Sequence, residues 1–390
     1  MFTKIAKSAL IAITVGATLG SAAAADDTGV FRFGVPYTQT GVMAEYGANY
    51  SDGIRLAVQE VNAKGGLTIG NKKVKVEAVF CDTQADTAKA AACGRRLSSQ
   101  SAVPAMLIST SIETFPIMSF NNDARSPFVI ISSSASNKLV SLNNPLVVRY
   151  WYNTYSYMPS FTKSLKEVVG QIDSGPQLVS IMQSEDEFGK AWADTFSKGW
   201  TAAGGTIGRI ATYPSTAADV YPQLTALLKD KPTILAIPGA CPQVTPLVKQ
   251  ARELGFTGRF IFQISCGPQE ITKHVGEKAI QGSIFEGSGW DLHSDRIDAF
   301  KSAFKKSFGR DAVVICADGY AQAMWLMNAV QQAGSTDDPK RIRAAMGAVL
   351  DQDWNILSIK DLQANGETRA VVHPRFVKSL ADITDYTNVK

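Results

Sequence analysis

Hydroxyl side chains supply the first chemistry this sequence offers. The apolar run "PFVII" ends in four serines within five positions, 132–136, and the run "AVPAMLI" ends in a second cluster, "STSIET", at 109–114. A third polar loop, "YTQTGVMAEYG", follows the first apolar run of the chain. Hydroxyls and backbone N–H groups gathered where a strand gives way to a helix can hold a carboxylate, because the helix N-terminus adds unpaired donors and the favourable end of its dipole. The same serines can instead cap the helices they precede, and for any one of them the two accounts weigh equally. Two such loops on neighbouring strands favour a shared polar site.

Catalytic signatures are missing. There is no Gly-x-Ser-x-Gly elbow, no phosphate loop ending in Gly-Lys-Ser/Thr and no His-Glu-x-x-His. The glycines of "GGTIG" follow a helix, which is the wrong place for a dinucleotide turn. His274, His293 and His373 lie far apart in polar surroundings, and the cysteines lack the paired spacing of a zinc site. No metal or cofactor is expected, and the chain reads as a binder rather than an enzyme. A net charge of +4, with the basic residues scattered, argues against nucleic acid as a partner.

The elements that must carry these loops follow an alternating pattern. "FRFGVPY" reads as a strand, and "YGANYSDGIRLAVQEVNAKGG" as a helix with Ile54, Ala57, Val58 and Val61 on one stripe and Gly65–Gly66 as its stop. Short apolar strands and helices then alternate, and the rhythm restarts after residue 150 with "QLVSIMQS" and "FGKAWADTFSKGWTAAGG". Such alternation gives parallel sheets covered on both faces. A chain of 390 residues is too long for one compact core, so two α/β halves are expected. Between them lies "RYWYNTYSYM", whose aromatics, Tyr150 and Tyr152 among them, are placed to wall a cleft with ring faces and hydroxyls.

The N-terminus has the three-part layout of a secretory signal peptide: lysines in "MFTKIAK", a short apolar run, and small residues at Ala23 and Ala25. Residues 1–25 are expected to be removed, giving an exported, periplasmic protein. With no cysteine at the cleavage point, no lipid anchor is expected. Export permits disulfides. Cys81 and Cys93 flank a turn leading into a helix, and Cys241 and Cys266 each follow an apolar strand. Both pairs are disulfide candidates, with buried free thiols as the other reading. Cys316 is expected in the core.

"FRFGVPYTQTGVMAEYGANYSDGIRLAVQEVNAKGG", "CDTQADTAKAAACGRRL", "VVRYW" and "SEDEFGKAWADTF" together resemble the periplasmic substrate-binding proteins of branched-chain amino acid transporters. The resemblance implies a type I periplasmic-binding fold, with two doubly wound parallel-sheet lobes joined by three crossings, a ligand held in the cleft, and an ABC permease in the inner membrane as partner. It places the lobes at 26–149 with 289–354, and at 150–288 with 355–390, in a chain acting as a monomer. It assigns Ser111, Ser134 and Ser136 to a ligand carboxylate and Tyr46 to covering the ligand's body. Where members that bind amino acids have an aromatic and then an acid in the second lobe, this chain reads "PGACPQ" and "FQISCGPQ". Cys241 and Gln263 would face the ligand there, and no acid follows until Glu270. A buried ammonium without a carboxylate is costly, so an aromatic or other organic carboxylate is expected as readily as an amino acid. The rival readings are a ligand-sensing receptor or regulator and a secreted hydrolase.

Overall fold

A computed structural model describes residues 29–292 and 294–387; the expected signal peptide and His293 lie outside them. Six strands form the first sheet: β1 (Val30–Tyr37), β2 (Leu67–Ile69), β3 (Lys72–Asp82), β4 (Ala105–Ile108), β5 (Val129–Ser132) and β6 (Val147–Arg149), in the order β2-β3-β1-β4-β5-β6. Only the β2–β3 hairpin is antiparallel; β1 runs parallel to β3 from Val30↔Lys75 to Tyr37↔Asp82. The second sheet comprises β7 (Leu178–Ser184), β8 (Thr206–Tyr213), β9 (Ile234–Ile237), β10 (Arg259–Phe262), β11 (Ile284–Gly287), β12 (His373–Ser379) and β13 (Asp382–Asp385), in the order β13-β12-β11-β10-β9-β7-β8. Its first five strands in sequence run parallel, while β12 and β13 close one edge antiparallel. All residues of β4, β5, β9 and β11 are buried, as expected of parallel strands with both faces covered.

The chain leaves the first sheet after β6, returns after β11 to lay helices Asp295–Phe308 and Val314–Ala333 against the first body, and crosses a third time before β12. The stretch 355–369, assigned from sequence to the second lobe, runs beside β6, where Arg149 N donates to Gly366 O at 2.9 Å. The halves therefore match the alternation read from the sequence. The very short β2 and β6, and the antiparallel β12, had too little apolar pattern to be seen there.

One close approach fixes the first body. Helices Ala44–Ala63 and Val314–Ala333 touch backbone to backbone. A Cβ on Gly53 would stand 1.9 Å from Cys316 O, and one on Gly319 would stand 2.1 Å from Tyr50 O. No side chain fits at either place, although both backbones are ordinary helix. Gly53→Ala and Gly319→Ala should each lower stability by about 1–3 kcal/mol or more through overpacking, read as a fall in thermal midpoint. Gly170→Ala is the control. It lies on an exposed helical position with only the Gln177 side chain near, and should be neutral or stabilising.

Candidate ligand-binding site

Strands β4 and β5 are hydrogen-bonded neighbours in register from Ala105↔Val129 to Ile108↔Ser132, so the loops after them emerge side by side. Thr110 caps helix Ser111–Met118, its hydroxyl accepting from Glu113 N, and this brings Ser111 to the mouth of the sheet. The next loop places Ser134 opposite, with the two Oγ atoms 2.7 Å apart. Both serines are almost fully buried. The first N–H groups of the eight-residue helix have no intrahelical acceptor and open onto the same space.

Arg149, wholly buried at the end of β6, holds this loop in shape. Its guanidinium donates to Ser134 O and to Ser136 O (2.9 Å), and pairs with Glu367 at 2.7 Å. Asn153 also donates to Glu367. The loop's carbonyls are thus drawn to one side. Behind the serines lie two buried acids. Glu113 accepts from Thr38, Thr83 and Thr110, and burial raises its pKa despite those bonds. Asp318 accepts from Ser133 Oγ and Gln322 Nε2, and burial pushes it up to about 7.

The second sheet supplies the facing wall. A small cavity of about 60 Å³ lies between Met43, Tyr46, Ser109–Ile112, Ser133–Ala135 and Trp151 on one side and Asp186, Phe188, Ala240, Gln243 and Ser265 on the other. Asp186 caps helix Glu187–Ala202 by accepting from Gly189 N at 2.9 Å, and also accepts from Ser215 Oγ at 2.7 Å. It is the acid of this cavity. Disulfides join Cys81 to Cys93 and Cys241 to Cys266, and Cys316 is a buried free thiol. Polar side chains at the cleft also reach from one body to the other. Ser136 Oγ donates to Glu187 at 3.1 Å, Lys138 stands 3.9 Å from the same carboxylate, and His274 stands 3.5 Å from Glu45.

The structure brings Tyr46, Ser111 and Ser134 together in the cavity; the other expected residues lie elsewhere. The Tyr46 hydroxyl reaches Ser109 O at 3.5 Å, and burial raises its pKa well above the ordinary tyrosine value. Ser136 spends its hydroxyl on Glu187 across the cleft. Tyr150 points into the core, donating to Asn355 at 2.7 Å and packing on Trp325. Tyr152 is buried beside Trp151. Cys241 cannot meet a ligand, since its sulfur is bonded to Cys266 and fully buried. Gln263 turns back on its own loop to accept from Ser265 N at 2.8 Å. Trp151 was missed because alternate residues of an extended chain face opposite ways: choosing Tyr150 and Tyr152 selected the other face. Asp186 and Phe188 did carry a signal, the "SEDEFG" turn, but the fold was needed to swing them over the serines.

The second body has its own buried acid. Glu286 accepts from Trp192 Nε1 (2.9 Å), Tyr157 OH (3.0 Å) and Ile264 N (3.2 Å), and burial pushes it up to about 7.

Two predictions follow from these buried charges. Arg149→Met strands the Glu367 carboxylate and should cost about 3–5 kcal/mol of stability, with part regained in Arg149→Met/Glu367→Met, measured by chemical denaturation. Glu286 holds its proton to higher pH folded than unfolded, so its contribution favours the folded state at low pH and is lost as pH rises from the ordinary glutamate value through about 7. The thermal midpoint of Glu286→Gln should therefore fall less than that of the parent protein between pH 5 and pH 8.

Comparison with known proteins agrees with this fold. The family described as "Periplasmic binding protein" matches residues 30–374. The leucine-specific-binding protein of Salmonella typhimurium is 24% identical over 358 residues, 92% of this chain and 88% of the relative. A leucine-binding protein from Thermotoga maritima superposes with a TM-score of 0.77 at 21% identity, covering 92% of this chain and 98% of its own. A solute-binding protein from R. palustris, solved with benzoate, superposes with a TM-score of 0.76 at 16% identity, over 92% and 96%.

Proposed function

The chain belongs to the periplasmic binding protein family, and from that premise we propose that it is the exported, monomeric solute-binding component of an ABC uptake transporter, taking a small carboxylate-bearing ligand with an apolar body. The observation that carries this reading is the Ser111–Ser134 hydroxyl pair, 2.7 Å apart and buried at the mouth of a helix. Hydroxyl and N–H donors suit a carboxylate. Met43, Tyr46, Ile112, Trp151, Phe188 and Ala240 offer apolar contact to the rest of the molecule.

The ligand's other end meets Asp186 and Gln243. Asp186 is already engaged as a helix cap, yet each of its oxygens keeps a further acceptor site. Both an amino acid and a plain organic acid therefore remain candidates. The names of similar proteins point the same two ways, towards leucine in one relative and benzoate in another. We take the moving bodies to be the two sheets with their covering helices. Closure around the ligand presents a shape for an ABC permease to read.

The test is a thermal-shift and calorimetric screen of leucine, isoleucine, valine, benzoate and hydroxylated aromatic acids. At least one should raise the thermal midpoint in a saturable way; a flat response to every small acid and amino acid would overturn the reading. For the acid that binds, Ser111→Ala and Ser134→Ala should each weaken binding by about 1–3 kcal/mol. Unchanged affinity in both variants returns the serines to helix capping.

A further inference from the structure

Beside Asp186 and Phe188, the second-sheet wall of the cavity is made at the ends of two adjacent parallel strands. Ala240 ends the turn after β9, Gln243 lies in the first turn of helix Cys241–Glu253, and Ser265 is in the loop after β10. Cys241 is the residue after Ala240, and Cys266 the residue after Ser265; the disulfide joins them with their Cα atoms 4.7 Å apart. Both are fully buried. The cross-link therefore sits one residue behind each cavity-facing side chain.

The helices that these turns lead into pack against each other, but no hydrogen bond among the described residues joins the cavity-facing turns themselves. Ala240 N donates to Gln243 Oε1, and Gln243 Nε2 to Ser215 O; Ser265 N and Cys266 N donate to Gln263, and Ile264 N to Glu286. Among the described residues, these bonds run within each loop, to Ser215 or to Glu286, and not from loop to loop. Gly239 adds freedom rather than restraint, since its φ of +148° is a conformation that residues with a side chain rarely adopt.

The body beneath has its own supports. Strands β9 and β10 pair in register from Ile234↔Arg259 to Ile237↔Phe262. Met182, Leu235, Val244, Leu247, Phe260 and Phe262 are packed in one buried apolar cluster with the two cysteines. That cluster and ladder hold the sheet whether or not the sulfurs are joined.

We propose that the Cys241–Cys266 disulfide is a positioning element of the binding site, holding Ala240, Gln243 and Ser265 at the ligand, so that ligand affinity rather than folding depends on it. The affinity part of this rests on the function proposed above. Formation is a thiol–disulfide exchange: the two thiols give up two protons and two electrons to a disulfide-bearing oxidant, whose own disulfide leaves as two thiols. The chain then reaches full binding competence only in an oxidising compartment and would carry a loosened wall before export. The Cys81–Cys93 bridge, between the end of β3 and helix Thr87–Ser99, joins no two cavity loops and serves as the comparison.

The experiment compares Cys241→Ala/Cys266→Ala with Cys81→Ala/Cys93→Ala and the parent protein. Hydrogen exchange needs no ligand. In the first variant, amides of 238–243 and 263–267 should exchange at least tenfold faster, while 234–237 and 259–262 keep their protection. Unchanged exchange in the wall, or an equal loss across the strands, overturns the proposal, as does a variant that fails to fold. Calorimetry with leucine and benzoate forms the second arm. For whichever binds the parent, the first variant should lose at least tenfold in affinity and the comparison variant less than twofold; equal affinity overturns the proposal. If neither probe binds the parent, the function proposed above is what fails for these ligands, and the exchange arm still decides the role of the disulfide.

Discussion

A guanidinium sealed from water has to be answered in full, and Arg149 is answered by groups from two other parts of the chain. Its carboxylate partner, Glu367, arrives on the stretch that leads to the third crossing, and its remaining donors reach the carbonyls of Ser134 and Ser136. Desolvating such an ion pair is expensive and yields little net stability. What it yields is geometry. The serine loop cannot rotate its carbonyls towards the cavity without stranding a buried charge, so its hydroxyls remain the groups on offer. The same constraint ties the end of β6, where the chain first leaves the sheet, to the segment by which it finally leaves. Loop shape and inter-body connection therefore depend on one interaction.

Around that fixed point, the acids are arranged by depth. Glu113 and Asp318 sit behind the donors and are answered by hydroxyl and amide groups rather than by cations. Burial without a compensating charge favours the protonated form and raises the pKa of both groups, which lie behind the cavity wall. Asp186 differs. It sits at a helix N-terminus, whose dipole favours a carboxylate, at the edge of the cavity. A ligand carboxylate beside Ser111 and a donor group beside Asp186 would each meet a complementary partner.

Much of this was legible in the sequence, and the divide follows the range of the interactions. Strand ends and helix starts are local events, so the apolar runs before "SSSAS" and "STSIET" were enough to place two donor loops at strand ends. Ser111, Ser134 and Tyr46 were singled out within them and nearby by the family resemblance. The two cysteine pairs were open candidates because each cysteine stands beside an element end. What could not be read was direction. Whether Tyr150 or Trp151 faces the cleft depends on the phase of one extended segment, and Ser136 reaches the cavity's rim rather than its interior because Glu187, 51 positions away, takes its hydroxyl. The role of Arg149 was invisible, since its partner is 218 positions distant.

The backbone contact between helices Ala44–Ala63 and Val314–Ala333 bears on the order in which the protein forms. Its two glycines are separated by most of the chain, and an entire α/β body is inserted between them. The second body has five of its seven strands in one continuous run, β7 to β11, and can largely assemble from neighbours in sequence. The first body must wait for residues made long after its own sheet. A chain emerging N-terminus first will therefore hold an unfinished first body, with one helix face uncovered, until the last third of the polypeptide arrives. Contacts so distant in sequence close slowly, and a chain that cannot complete its first body early stays loose for longer, which is the condition a polypeptide needs if it is to be threaded across a membrane before it folds.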